Sequence, residues 1–364
     1  MAKKMQLAEL EFVDEGHPNS QMVAVLSEPR TFLLKHAVIP EPSDDELRVR
    51  IIYVGICGSD IETYRGIRSA EFVSLPVRLG HEVAGIVDKV GKRVSGVRSG
   101  DVVTCRYIWG AFAQYIICNP FNVKVVSGNI PMKEVSVLEV MPGILHAAEI
   151  ADISPSTNVL IIGQGVSGLV LTQVMSLFSP KNLVVTDLHD KKLTLAKKYG
   201  ATHAYRIPDP DTPTMEVVGS DFPDGFDVVI PCLLQGDGMV DAVDCAAFCG
   251  KIVMYGCIGT CNRPLDFFKV HRKRLEIYST EPRRDIDMRR YFQEGLQLAT
   301  DGLVKFSEMI THIFPLDRIS EAFRLRDDKT NSEVIHVLID CSGGNVCNQP
   351  DSGRTREHGR GLTK

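Results

Sequence analysis

Long apolar runs are missing from this chain. No stretch reaches the roughly 18 residues of a membrane-crossing helix, and the start, MAKKMQLAEL, lacks the apolar core of a secretory signal. Those two absences predict a cytoplasmic protein. An excess of one charge is missing too. The 41 Lys and Arg against 46 Asp and Glu leave a formal net charge of −5, which offers no general attraction to phosphate backbones or anionic membranes. The locally basic HRKRLEIYSTEPRRDIDMRR reads as a solvated surface, because no nucleic-acid motif accompanies it. Neither nucleic acid nor membrane is expected as a partner. There is no disulfide framework either: ten cysteines are scattered along the chain, and a reducing compartment keeps such thiols free. Cys245, Cys249, Cys257 and Cys261 form two C-x3-C pairs around the strand-like GKIVMYG. They read as small apolar packing rather than as a metal site. No internal repeat is present.

A chain of 364 residues, 44% hydrophobic and 24% charged, is globular and long enough for two domains. Residues 1–21 form a polar N-terminal extension. From 22 to 150, short β-like runs (ELRVRIIYV, EVAGIVDKV, DVVTCRYI, AQYIIC) alternate with turn residues, which predicts a strand-rich domain; the helical VLEVMPGILHAAEIADI closes it. From 151 to 284, the apolar strands NVLIIG, NLVVTD, DVVIPC, KIVMYG and LEIYST are separated by helix-like segments. That pattern predicts a parallel sheet covered by helices on both faces. Residues 285–341 lack the repeating order and are expected to return to the first domain. The Gly-, Ser- and Arg-rich tail, 342–364, is expected to be disordered.

NVLIIGQGVSGLVLTQVMSLF reads as a strand, a glycine turn and a helix. Gly163, Gly165 and Gly168 make a G-x-G-x-x-G, with Val166 and Ser167 opening the helix. The first glycine permits the tight turn, the second lets a pyrophosphate approach the backbone, and the third lets helix and strand pack closely. The helix N-terminus then meets phosphates with free N–H groups. NLVVTD follows and ends in Asp187, where a carboxylate accepts ribose hydroxyls and repels a 2′-phosphate. Leu188 and His189 bring no arginine, so NAD is favoured over NADP. A doubly wound domain that binds another nucleotide, or none, is the plain alternative.

YVGICGSDIETYRG supplies Cys57 in a glycine-flanked turn, LGHEVAG supplies His81 and Glu82, and VLEVMPGILHAA supplies Glu139. Thiolate, imidazole and carboxylate are all zinc ligands, and a catalytic zinc takes three protein ligands and keeps one position open. Each residue also has a dull reading: a small buried thiol, a hydrogen-bonded turn histidine, a helix-start acid. Their joint appearance upstream of a dinucleotide fingerprint favours the metal.

With these motifs in place, the chain from about Met22 to Asp340 resembles the zinc-dependent alcohol dehydrogenases of the medium-chain dehydrogenase/reductase family. GHEVAGIVDKVGKRV satisfies that family's G-H-E-x2-G-x5-G-x2-V signature at every position. GICGSD, LEVMPGILHA, VVTDLHDKKLTLAKKYGA and ITHIFPLDRISEAF are most similar to its polyol (sorbitol-type) branch. The resemblance implies an α/β fold class: a partly open, GroES-like β-barrel catalytic domain (22–150 with 285–341) and a doubly wound Rossmann domain (151–284), with the active site in the cleft between them. It implies that Cys57, His81 and Glu139 hold the zinc, with Glu82 able to approach it. Ser59 would pass the substrate proton outward, and Asp60 would fix the tautomer of His81.

The chain also departs from the family. Only eight residues separate Asp101 from GAFAQY, and one cysteine, Cys105, remains there. The lobe that binds a structural zinc in many relatives is therefore missing, so one catalytic zinc per chain is expected. Glu62 stands where relatives often carry a relay histidine; it takes the proton onward, or Tyr64 shapes the pocket instead. His336 replaces a Lys or Arg that reaches the cofactor in many relatives. The implied function is reversible hydride transfer between a secondary alcohol (a polyol, sugar alcohol or cyclitol) and NAD, by a homodimer or homotetramer. The alternatives are a zinc-free reductase of the same superfamily and a non-catalytic NAD-binding protein.

Overall fold

The computed structural model describes residues 10–68, 71–233, 236–256, 261–281 and 286–343, and every structural statement below refers to these. Cys257 and residues 344–364 of the expected disordered tail lie outside them. Sixteen strands make three sheets. β1 (Phe12–Val13), β2 (Ser20–Glu28) and β3 (Thr31–Val38) form the smallest, in the order β1-β3-β2. Part of the segment read as a featureless extension is therefore a strand: Phe12 and Val13 pair antiparallel with Ala37 and His36.

The second sheet contains β4 (Leu47–Gly55), β5 (Glu82–Val90), β6 (Val102–Cys105), β7 (Tyr115–Cys118) and β8 (Val123–Val125). Its central strand, β4, pairs with β5, β7 and, from the far end of the chain, β16 (His336–Asp340). A strand enclosed in this way is buried on both faces, which is why LRVRIIYVG is apolar at most positions instead of strictly alternating.

The third sheet is parallel throughout. It runs through β9 (Asn158–Ile162), β10 (Asn182–Asp187), β11 (His203–Arg206), β12 (Phe226–Pro231), β13 (Ala246–Met254) and β14 (Glu276–Ser279). The spatial order is β11-β10-β9-β12-β13-β14, that is 3-2-1-4-5-6 counted from β9, the doubly wound order of dinucleotide-binding domains. β11 was not foreseen, because its four residues, HAYR, are half-buried or exposed and carry no apolar run.

β15 (Ile310–Pro315) and β16 (His336–Asp340) complete the second sheet: they pair with each other, and Leu338 of β16 lies opposite Gly55 of β4. One hydrophobic core fills the barrel around Leu47, Val49, Ile51 and Phe323, and others cover the two faces of the parallel sheet. The helix Met141–Ala151 packs into the core shared with β9 and β10, burying Ile144 and Ala147 completely. Burial of each such isoleucine contributes about 1.5–3 kcal/mol, so this helix fixes Glu139, just before it, against both halves of the molecule.

Candidate active site

Cys57 follows β4 and N-caps the helix Gly58–Arg65. A helix start leaves backbone N–H groups without partners. Asp60 turns back to meet one of them, its Oδ2 accepting from Cys57 N at 3.1 Å. Its Oδ1 accepts from Gly80 N at 3.3 Å and lies 3.6 Å from His81 Nδ1. A single buried carboxylate thus ties the cysteine turn to the histidine turn. With Nδ1 facing Asp60, Nε2 is the ring nitrogen left for a metal. Gly80 adopts φ +93°, and a Cβ there would press on Phe112 N at 3.0 Å; a side chain at that position is excluded on both counts.

Glu82 opens β5 directly opposite Gly55. A Cβ on Gly55 would collide with Glu82 Oε2 and come within 2.7 Å of the His336 ring. Glu82 Oε2 is 3.4 Å from His336 Nε2, yet both atoms are buried without a hydrogen bond. The ligand atoms of Cys57, His81 and Glu82 lie within 4.8 Å of one another. Burial, reinforced by Asp60, pushes the Cys57 thiol up, while a hydrogen bond from Ser59 partly offsets it. Burial, reinforced by Cys57, pushes Glu82 well above the ordinary carboxylate value. A cation among these groups would relieve both penalties. Thiolate, imidazole and carboxylate form a zinc donor set with an open fourth position. The residues fit the metal.

Glu139 is not part of that trio. It sits in the 3-10 turn Ser136–Val140, where Arg106 Nη1 donates to its Oε1 at 3.0 Å and to its backbone O at 2.7 Å. Of the expected metal residues Cys57, His81, Glu139 and Glu82, the donor atoms of Cys57, His81 and Glu82 converge, whereas the Glu139 carboxylate accepts from the Arg106 guanidinium. Of the two relay candidates, Glu62 is buried on the helix that carries Ser59, and its carboxyl is raised by burial. Tyr64 packs between Phe32 and Phe323 in the barrel core, not in the cleft.

At the nucleotide end, Gly163 turns with φ +92°, and a Cβ there would lie 2.7 Å from Leu233 Cδ2. A Cβ on Gly165 would meet nothing within 4 Å, whereas one on Gly168 would collide with Gly163 O. Tight turn, open approach and close packing thus fall on the first, second and third glycines, and the open space at Gly165 fits a diphosphate. Gly165 caps the helix Val166–Ser176. Asp187 closes β10: its Oδ2 accepts from Gln164 N at 2.7 Å, its Oδ1 accepts from His189 N at 3.0 Å, and Lys192 Nζ is 3.7 Å away. Ser167 faces the hydroxyl of the half-buried Tyr255, which reaches toward Gly143 and Arg106. A run of neighbouring groups, Ser167, Tyr255, Arg106 and Glu139, thus leads from the glycine turn toward the trio.

Two family models match, the alcohol dehydrogenase GroES-like domain over residues 43–126 and the zinc-binding dehydrogenase over residues 168–300. Together they cover more than half of the chain. The chain belongs to the zinc-type alcohol dehydrogenases of the medium-chain family. It is 26% identical to the sorbitol dehydrogenase of Bacillus subtilis (strain 168), over 88% of this chain and 98% of that one. It is 29% identical to the L-idonate 5-dehydrogenase of Vitis vinifera, over 84% and 92%. The galactitol 1-phosphate 5-dehydrogenase of Escherichia coli (strain K12) is likewise 29% identical, over 83% and 95%. Among solved structures, galactitol-1-phosphate dehydrogenase from Escherichia coli superposes with a TM-score of 0.73 at 24% identity, covering 88% of this chain and 99% of that one.

Sequence reasoning missed three residues of this zinc-type dehydrogenase's cleft. His336, which the family resemblance gives no role in the site, is carried to Glu82 by the β16–β4 register. Trp109, the chain's one tryptophan, stands edge-on to His81 with ring centroids 4.7 Å apart. Arg106 follows Cys105 in the short segment that stands where the lobe is missing. No periodicity or spacing marks any of the three. The shortened segment was the one available signal, since its residues had to reach the cleft once the lobe was gone. The C-x3-C thiols differ among themselves: Cys245 is buried in the sheet core as expected, whereas Cys249 is exposed.

Proposed function

We propose that this chain reversibly oxidises a secondary alcohol of a polyhydroxy compound to the ketone, with NAD as hydride acceptor and one zinc held by Cys57, His81 and Glu82. The carrying observation is the trio, half-buried at Cys57 and buried at His81 and Glu82, with its unpartnered Glu82 oxygen. When bound there, zinc supplies Lewis acidity toward an alcohol oxygen. The half-buried Ser59 hydroxyl, beside the Cys57 sulfur, takes the substrate proton. Glu62, three residues on and so on the same helix face, carries it outward. Trp109 walls the space beside His81 with an apolar ring suited to the C–H face of a polyol.

The cofactor's diphosphate lies over Gly165 and the N-terminus of the following helix, with Val166 and Ser167 beside it. Asp187 faces the ribose, and the lack of arginine at 188 and 189 favours NAD. Solved neighbours differ here: one from Sinorhizobium meliloti 1021 is bound to NADP, and one from Escherichia coli CFT073 is complexed with NADH. Relatives named for sorbitol, idonate and galactitol 1-phosphate support a polyol or its acid or phosphate. No helix among the described residues is long and apolar enough to cross a membrane, in keeping with a cytoplasmic enzyme. β14 is an open sheet edge with Ile277 and Tyr278 exposed, and such edges pair with second copies, which supports a homodimer or homotetramer.

The test is a spectrophotometric screen of polyols, cyclitols, sugar acids and sugar phosphates with NAD and with NADP, on zinc-loaded protein. NAD-dependent turnover that Cys57→Ala abolishes is expected. Turnover undiminished in that variant, or a clear preference for NADP, overturns the respective assignment.

A further inference from the structure

Arg106 is the least expected group in the cleft. Its backbone is clamped on both sides by Asn122: Arg106 N donates to Asn122 O at 2.9 Å, and Asn122 Nδ2 donates to Arg106 O at 2.9 Å. The side chain is about one-tenth exposed. Its guanidinium lies over the Tyr107 ring, 4.9 Å from the centroid, and Nη2 points toward Gly143. Nε is buried with no hydrogen-bond partner. Among the described residues, its one ion pair is with the Glu139 carboxylate. Burial works against its charge, and Glu139 more than offsets that. A buried cation with a single anionic partner holds that partner strongly, because separation strands both charges.

We propose that Arg106 is a positioning residue that withholds Glu139 from the metal. This inference rests on the zinc reading above. The 3-10 turn that carries Glu139 packs against β5, the strand that Glu82 opens, so Glu139 borders the trio without joining it. For its carboxylate to become a ligand, the Arg106 contact has to be broken or shared. The double hold of Nη1, on carboxylate and backbone O of one residue, pins the side chain toward its own main chain. Arg106 thereby lowers the site's intrinsic affinity and leaves Glu82 as the carboxylate ligand. Were Arg106 removed, Glu139 would turn to the strongest remaining cation, the metal.

Cobalt(II) and zinc binding to the full chain tests this, by chelator competition and by the cobalt absorption bands, without reference to turnover. Arg106→Gln is expected to tighten both metals about tenfold, at the lower end of what neighbours of metal ligands contribute, and to alter the cobalt bands. Glu139→Gln alone is expected to change affinity less than about threefold. Combining the two should return the affinity to that of Glu139→Gln. Arg106→Lys, which keeps the charge, should stay near the wild type, and circular dichroism confirms that each variant is folded. If Arg106→Gln weakens metal binding and Glu139→Gln weakens it tenfold or more, Arg106 orients a ligand rather than withholding one, and the proposal falls. A wild-type chain that binds neither metal removes the zinc reading together with it.

Discussion

Replacing Asp60 with alanine probes the joint between the two ligand turns. The carboxylate accepts from Cys57 N and Gly80 N and faces His81 Nδ1. Hydrogen bonds to a charged acceptor are worth about 1.5–3 kcal/mol each, and a buried N–H left without an acceptor is penalised by about 1–3 kcal/mol. Against this, burial raises the Asp60 pKa, with His81 and the Gly80 and Cys57 N–H groups opposing the rise. Its own desolvation therefore cancels part of the gain. A net loss of about 2–4 kcal/mol is expected, within the roughly 5–15 kcal/mol stability of a folded chain, so the variant should still fold. The informative quantity is the zinc-dependent part. If Asp60 sets the positions of both ligand turns, zinc affinity drops about 10–100-fold, and the stabilisation by a fixed zinc concentration shrinks by about 1.4–2.7 kcal/mol. Urea unfolding with and without zinc separates the two effects. A variant destabilised in both conditions by the same amount, with its zinc increment intact, refutes the link between Asp60 and the metal.

Three further outcomes follow from the geometry. Gly55→Ala puts a methyl group into Glu82 and His336; it should lower stability by about 1–3 kcal/mol as overpacking and weaken zinc binding, whereas unchanged metal affinity would mean that Glu82 is not a ligand. Gly168→Ala drives a Cβ into Gly163 O, so NADH binding measured by fluorescence should fall at least tenfold while zinc content stays at the wild-type level. Burial holds the Glu62 carboxyl above its ordinary 4.5, opposed by Arg68 and Arg65. The folded chain therefore binds that proton more tightly than the unfolded chain. Its contribution to stability is complete below 4.5 and is lost as pH rises through the raised value. Glu62→Gln should flatten the pH dependence of the urea midpoint across that window, and superimposable curves would contradict the assignment.

The sequence carried the local parts of the site well. The glycine spacing around His81 and along residues 163–168 is legible because each glycine answers a steric demand made within a few residues: the turn at Gly80, the turn at Gly163, the contact of Gly168 with Gly163 O. Cys57 and Asp60 share one turn of helix. The parallel sheet was legible from its apolar strands, apart from the polar β11. What the sequence hid depends on register and side-chain competition. His336 reaches Glu82 because Leu338 pairs with Gly55 across nearly the whole chain length, which no local pattern encodes. The family motif implies Glu139 as a ligand, but motif spacing cannot reveal that Arg106, just past β6, donates to the same carboxylate.

The central claim is that Cys57, His81 and Glu82 converge to hold one divalent ion. The direct measurement is the zinc content of the full chain, by elemental analysis after dialysis against limiting zinc, for the wild type and for Cys57→Ser, His81→Ala and Glu82→Gln. The account predicts about one zinc per chain in the wild type, with sharp loss in all three variants. A wild type that retains no zinc, or variants that retain it fully, would contradict it.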